Sequence, residues 1–175
     1  MPKAQDIIDM ENNSSNKEYV LKEVSQKGSL LEFASDELKN DKEVVLAAIK
    51  NNPESLEFAS DELKDDREVA FESVSHVGWT YCYVTGQLLE DRELLMAGLK
   101  CTGQILYFAT KQMRDDKEVV LTAVKNKGII IKYASQRLKN DIDVATTAML
   151  QSKKCYEFLG EDVKQNEKIL EILNG

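Results

Sequence analysis

Residues 41–65 read DKEVVLAAIKNNPESLEFASDELKD, and most of the chain consists of copies of this stretch. The pattern recurs every 25 residues without an insertion, and a seventh, partial copy begins at Asn166 and stops at Gly175. The six full copies are residues 16–40, 41–65, 66–90, 91–115, 116–140 and 141–165. A fixed period of this length indicates a solenoid, because each copy can bury its apolar face only against its neighbours.

Positions within a copy are numbered 1 to 25, so that Asp41 is position 1 and Asp65 is position 25. Position 1 is Asp or Asn in every copy, which predicts the N-cap of a first helix. Position 3 is acidic in all six full copies, which is favourable near the positive end of the helix dipole. For this reason we interpret adjacent acids such as Asp115 and Asp116 as caps rather than metal ligands. Apolar residues at positions 4, 5, 6 and 9, with a small residue at position 8, predict a helix packed between neighbours. Glycine at position 13 in four copies predicts a left-handed helix end.

A second, shorter helix is predicted from an apolar residue at position 16, an aromatic at 18 and an aliphatic at 23. The aromatic column, which includes Phe58 and Tyr83, is expected in the core. Serine or threonine at position 20 either caps a fresh turn or bends the helix, and the sequence leaves both readings open. We therefore predict an all-α fold, an α-solenoid of six 25-residue helix-turn-helix repeats plus a C-terminal capping helix. Residues 16–165 form its single domain, residues 1–15 a flexible or capping segment, and residues 166–175 the capping helix.

Composition limits the classes of function. The net charge of −8 argues against binding to phosphate backbones, so nucleic acid is not the expected partner. Residues 16–65 carry 7 basic and 12 acidic side chains, whereas residues 91–165 carry 13 and 10, so the charge is unevenly placed. No apolar run is long enough to cross a bilayer, and three cysteines without CxxC spacing indicate neither disulfides nor zinc. An acidic cytoplasmic protein without membrane association, metal or cofactor is expected.

The unit DKEVVLAA, followed by lysine, asparagine and then LEFASDELK, resembles the tandem repeat known as domain of unknown function 4116. The resemblance covers residues 16–165, is strongest in the first, second and fifth copies, and weakens in the third and sixth. It implies helical repeats in series, and it implies no activity and no catalytic residue.

Catalytic motifs are absent from the sequence, with no phosphate-binding glycine loop, HExxH or GxSxG. We therefore expect no enzyme and assign no catalytic residue. An alternative is a small-ligand sequestering protein or enzyme with a pocket in the third and fourth copies, where the single histidine, His76, precedes Cys82 by six residues.

Comparison of the copies points to a binding surface. Positions 14, 17 and 21 lie outside the apolar pattern and are predicted to form an exposed ridge. The ridge is acidic in the first two copies, aromatic in the middle and partly basic later. We predict a non-catalytic module that binds a protein or peptide through this ridge, centred on Trp79 and Tyr107. The predicted partner-binding residues are Trp79, Tyr107, Cys82, Lys111, Lys132, Glu57 and Asp61. The sequence leaves open whether Trp79 instead folds inward, and a passive spacer or oligomerisation element remains a third alternative.

Overall fold

The computed structural model describes residues 3–175, and these residues contain helices and no strands, which confirms the all-α prediction. The chain separates into two compact units, one ending at Leu88 and the other beginning at Leu89. Within residues 3–175, every helix is too short or too polar to span a bilayer. Whether the repeats form one continuous solenoid remains a prediction.

The first unit contains six α-helices and three complete 3-10 helices. The α-helices are α1 (Ala4–Asn12), α2 (Lys17–Gln26), α3 (Asp36–Lys39), α4 (Lys42–Asn51), α5 (Asp61–Lys64) and α6 (Arg67–Val74). The 3-10 helices are η1 (Gly28–Phe33), η2 (Pro53–Phe58) and η3 (Gly78–Tyr83). A further 3-10 helix, η4 (Gly86–Glu90), runs across the division between the units. In this unit α2 packs against α4 and α4 against α6, while η1 packs against η2 and η2 against η3.

The second unit repeats the plan. Its α-helices are α7 (Arg92–Cys101), α8 (Lys117–Asn126), α9 (Gln136–Lys139), α10 (Ile142–Gln151), α11 (Glu161–Lys164) and α12 (Glu167–Asn174). Its 3-10 helices are η5 (Gly103–Tyr107), η6 (Met113–Asp115), η7 (Gly128–Tyr133) and η8 (Lys153–Phe158). Helices α7, α8, α10 and α12 pack in chain order, and so do η5, η7 and η8. The partial seventh copy is α12, whose Ile169 is fully buried.

The predicted second α-helix is wrong in form. In the first, second, fifth and sixth copies, positions 13–18 form a 3-10 helix and a separate α-helical turn follows at positions 21–24. In the third and fourth copies the second turn is also a 3-10 helix, η4 and η6. Position 20 begins that turn, since the side chains of Ser35, Ser60 and Ser135 accept hydrogen bonds from the backbone N–H three residues later. The sequence left open whether this serine caps a fresh turn or bends the helix, and the structure shows that it caps the turn.

The core places in the 3-10 helix also differ from the prediction. Positions 15 and 16 are its main buried places, and position 15 holds the buried residues Leu30, Ser55, Thr80, Ile105, Ile130 and Cys155. The aromatic ring at position 18 lies at the margin of the core, half-buried in five copies and exposed in Phe108. The expectation of an aromatic core column is therefore wrong. In the first three copies the half-buried rings of Phe33, Phe58 and Tyr83 pack against the core from its margin.

Glycine at position 13 has a different role from the one expected. Among residues 3–175 only Gly86 has a positive φ, of 59°, so Gly28, Gly103 and Gly128 do not form left-handed helix ends. A Cβ on Gly28 would instead overlap the backbone carbonyl of Ala48, and Gly103 and Gly128 meet the carbonyls 20 residues later in the same way. Glycine is needed there because the backbone of one repeat touches the next.

Two sets of polar contacts join consecutive repeats. The basic side chain at position 2 pairs with the acids at positions 1 and 3 of the next repeat, at N–O distances of 2.5 to 2.9 Å. These pairs, called the ion-pair ladder below, join Lys17 to Asp41 and Glu43, Lys42 to Asp66 and Glu68, Arg92 to Asp116 and Glu118, and Lys117 to Asp141 and Asp143. In addition, in the second, fifth and sixth repeats the backbone N–H at position 20 donates to the carbonyl at position 24 of the preceding repeat, as Ser60 does to Lys39 at 3.0 Å.

The N-terminal segment continues this pattern. Ser35 donates its backbone N–H to the carbonyl of Ser14 at 2.9 Å, so residue 14 stands where a preceding repeat would place position 24. Helix α1 packs on η1, its Met10 is fully buried, and its Asp6 pairs with Lys27 at 2.7 Å. The described part of this segment is thus helical and covers the first repeat.

Candidate interaction surface

Each unit presents its own part of the predicted ridge. The first ridge comprises Ser29, Glu32, Asp36, Glu54, Glu57, Asp61, Trp79, Cys82 and Gly86. The second ridge comprises Gln104, Tyr107, Lys111, Ile129, Lys132, Gln136, Lys154, Glu157 and Glu161. Ser29, Cys82 and Ile129 are half-buried, and all the other members are exposed. The prediction that positions 14, 17 and 21 lie outside the core is confirmed, whereas their role in binding is untested.

Trp79 lies on the surface of the first unit, with 40% of its residue area exposed. Its indole meets the ring of Tyr83 edge to face, at a centroid distance of 5.4 Å. The Tyr83 hydroxyl donates a hydrogen bond of 3.0 Å to Oε2 of Glu57, in the preceding repeat. Burial and the neighbouring Glu57 carboxylate raise the pKa of Tyr83 well above its ordinary value, so the hydroxyl keeps its proton. The structure therefore excludes a Trp79 side chain folded into the core, and it links the exposed indole to an acidic side chain.

Carboxylates extend from this aromatic pair along the first ridge. Glu54 and Asp61 are exposed, and the Asp61 carboxylate has only a loose contact of 3.8 Å with Lys64. Thr85 donates its hydroxyl to the Asp61 backbone carbonyl at 3.1 Å, which ties this ridge position to the next repeat. The first ridge thus combines an exposed indole with negative charge.

The second ridge has an aromatic cluster of the opposite electrostatic character. Tyr107 is 56% exposed and contacts the rings of Phe108 and Tyr133 edge to face, each at 5.1 Å. The ammonium group of Lys132 lies 4.8 Å from the centre of the Tyr133 ring, within cation–π range. Lys111 is exposed nearby in sequence. The cluster includes Phe108, which is exposed, and Tyr133, which is half-buried, whereas the sequence pattern predicted both rings in the core.

The structure does not make His76 and Cys82 a catalytic pair. Nδ1 of His76 lies 2.8 Å from the carbonyl oxygen of Glu72, in its own helical region, and the ring is exposed. Burial raises the pKa of the Cys82 thiol, and Glu57 adds to the effect. A nucleophilic cysteine needs a lowered pKa, so the environment of Cys82 opposes that role. The alternative pocket function remains a prediction without a supporting observation.

Each acid of an adjacent pair performs a distinct structural task. Asp116 caps α8 by accepting from the Val119 N–H at 3.1 Å, while Asp115 accepts from the Ser135 hydroxyl and from Nε of Arg137, the latter at 3.1 Å. The ladder partner Arg92 lowers the pKa of Asp116. No group of three or more His, Cys, Asp or Glu side chains in residues 3–175 is arranged to hold a metal ion. Sequence reasoning identified the caps but missed the links between repeats.

Comparison with protein families finds one matching model, described as a domain of unknown function (DUF4116), at residues 16–64, 66–114 and 116–164. Each match spans two of the 25-residue copies. Comparison with curated proteins and with solved structures finds no match.

Proposed function

We propose that the chain, which belongs to the family described as domain of unknown function (DUF4116), is a non-catalytic interaction module. The module binds a segment of another protein along its exposed ridges. We also propose a cytoplasmic location, where the three cysteines, none of which forms a disulfide, stay reduced.

The observation that carries this proposal is the connected group Trp79, Tyr83 and Glu57. Exposed tryptophan and tyrosine are the residue types that supply most of the energy at protein interfaces. The Tyr83 hydrogen bond to Glu57 holds the aromatic pair beside a carboxylate, at 3.0 Å from hydroxyl to carboxylate oxygen. An arginine or lysine of a partner can lie against the indole face while it pairs with Glu57. The first ridge therefore selects a basic peptide segment.

The test starts from a phage-displayed library of random 12-residue peptides selected on the intact chain. We expect the enriched peptides to be rich in arginine and lysine. Trp79→Ala should weaken the binding of an enriched peptide by about 2 kcal/mol, roughly 30-fold, as measured by calorimetry. Glu57→Gln should weaken it by a smaller factor.

The matched control is Leu150→Ala, since Leu150 is a large apolar residue, 70% exposed, on α10 and outside both ridges. Its removal should leave peptide affinity unchanged. Enriched peptides that are acidic, or that bind the Trp79→Ala and Leu150→Ala variants equally well, would contradict the proposal.

A further inference from the structure

Two equivalent pockets lie at the same place in the two units, 75 residues apart. Each has a volume of about 290 Å³ and is formed by positions 21 and 24 of one repeat and positions 18–20 of the next, and the first pocket also includes position 21 of the next repeat. The pocket in the first unit is lined by Asp36, Lys39, Phe58, Ala59, Ser60 and Asp61. The pocket in the second unit is lined by Lys111, Arg114, Tyr133, Ala134 and Ser135.

The two pockets differ in charge. In the first pocket one basic residue, Lys39, is accompanied by the carboxylates of Asp36 and Asp61. In the second pocket Lys111 stands where Asp36 stands, and Gln136 replaces Asp61 in the sequence. The lining of the second pocket therefore has two cations and no acid.

Arg114 is the strongest sign that this second pocket takes a ligand. Its Nε is buried, yet it has no hydrogen-bond partner within residues 3–175. A buried donor without an acceptor is costly, and for a charged group more so. The neighbouring carboxylate of Asp115 does not satisfy it, because Asp115 accepts from Ser135 and Arg137. The Arg114 side chain lines the pocket, so a bound anion can pair with its guanidinium group.

We infer that the pocket of Lys111, Arg114 and Tyr133 binds a phosphate monoester. Two cations match a group that carries nearly two negative charges at neutral pH, which a phosphate monoester does and a carboxylate does not. The Tyr133 ring forms one wall, and Lys132, 4.8 Å from its centre, adds positive potential. The inference rests on the proposed function, because Lys111 belongs to the second ridge.

Calorimetric titrations of the intact chain test the inference with three probes. These are inorganic phosphate, a capped pentapeptide with a central phosphoserine between glycines, and the same peptide unphosphorylated. We expect inorganic phosphate and the phosphopeptide to bind, and the unphosphorylated peptide not to bind. Tighter binding of the phosphopeptide than of phosphate identifies a phosphorylated protein segment as the source, and equal binding identifies a small phosphate compound; either result supports the site.

The decisive variant transfers the charge pattern of the first pocket to the second. Lys111→Asp with Gln136→Asp should weaken phosphate binding at least about tenfold, since each lost charged hydrogen bond accounts for roughly a factor of ten. The reciprocal change, Asp36→Lys with Asp61→Gln, should create a second binding site. Lys168→Asp on α12 alters the charge of the same unit away from the pocket and serves as the control.

Circular dichroism checks that the double variant is folded, and Lys111→Gln alone serves in its place if it is not. The inference is overturned if neither inorganic phosphate nor the phosphopeptide binds. It is also overturned if the pocket variant and Lys168→Asp lose phosphate affinity equally. These outcomes leave the proposed function standing, because the Trp79→Ala experiment probes the first ridge with unphosphorylated peptides.

Discussion

Gly128 lies directly against the backbone carbonyl oxygen of Ala148, so closely that a Cβ at residue 128 would overlap that oxygen. The two residues are 20 positions apart and belong to consecutive repeats. The contact places the start of η7 on the middle of α10, and it explains why a small residue recurs at position 8 and glycine at position 13. The same relationship joins Gly28 to Ala48 and Gly103 to Ala123.

Gly128→Ala should lower the free energy of unfolding by about 2 kcal/mol, because the added methyl group forces two packed backbones apart. Urea unfolding followed by circular dichroism measures the change. Pro53→Ala is the control at the same repeat position, where the native residue already has a Cβ, and it should cost less than about 1 kcal/mol. A Gly128→Ala variant as stable as the parent chain would contradict the close contact.

The ion-pair ladder should make stability sensitive to acid. Hydrogen bonds from Lys17 lower the pKa of Asp41, and Arg92 does the same for Asp116. Because these pKa values are lower in the folded than in the unfolded chain, their stabilisation is complete above about pH 5 and is lost as the pH falls through the folded values. Lys17→Met should therefore lower the urea midpoint at pH 7 and lower it less at pH 2.5.

Urea midpoints of the parent and of Lys17→Met across this pH range measure the effect, with Lys168→Met as a control outside the ladder. If the urea midpoints of the parent and of Lys17→Met differed more at low pH than at pH 7, the predicted direction of the pH dependence would be wrong.

The emission of Trp79, the single tryptophan, reports its surroundings directly. With 40% of its area exposed, it should be quenched by neutral acrylamide in the folded chain. Each ion's quenching constant is divided by its value for free N-acetyltryptophanamide. The connection of Trp79 through Tyr83 to Glu57 should make this ratio larger for caesium than for iodide, since carboxylates attract the cation and repel the anion. Glu57→Gln should bring the two ratios closer together. A larger ratio for iodide than for caesium would contradict the acidic character of the first ridge.

The three thiols should react in the order of their exposure. Cys101 is exposed, Cys82 is half-buried and Cys155 is buried, and burial raises the pKa of Cys155 to about 11. Because the thiolate is the reactive form, a disulfide reagent at pH 8 should label Cys101 first and Cys155 only after urea is added. Mass spectrometry of the labelled peptides gives the order. Labelling of Cys155 as fast as that of Cys101 would show that η8 opens readily.

Much of the fold follows from local chemistry and can therefore be predicted from the sequence. The caps at position 1 are examples: Asp41 accepts from the backbone N–H groups of Glu43 and Val44, as its place before an apolar helix predicts. The exposure of Tyr107 also follows from the apolar pattern of a single copy, whereas that pattern left the exposure of Trp79 open. These features depend on residues within a few positions of one another, so a propensity or a period reveals them.

The sequence by itself determined the 25-residue repeat, the all-α class and the exposed positions of each copy. Only the tertiary structure decided which surfaces of neighbouring copies touch. It converted the second helix into a 3-10 helix and a capped turn, moved the aromatic at position 18 to the margin of the core, and placed Gly128 against Ala148. It also left Arg114 Nε buried without a partner beside Lys111. These outcomes depend on distances between residues about 20 positions apart, which backbone packing sets and a local pattern does not encode.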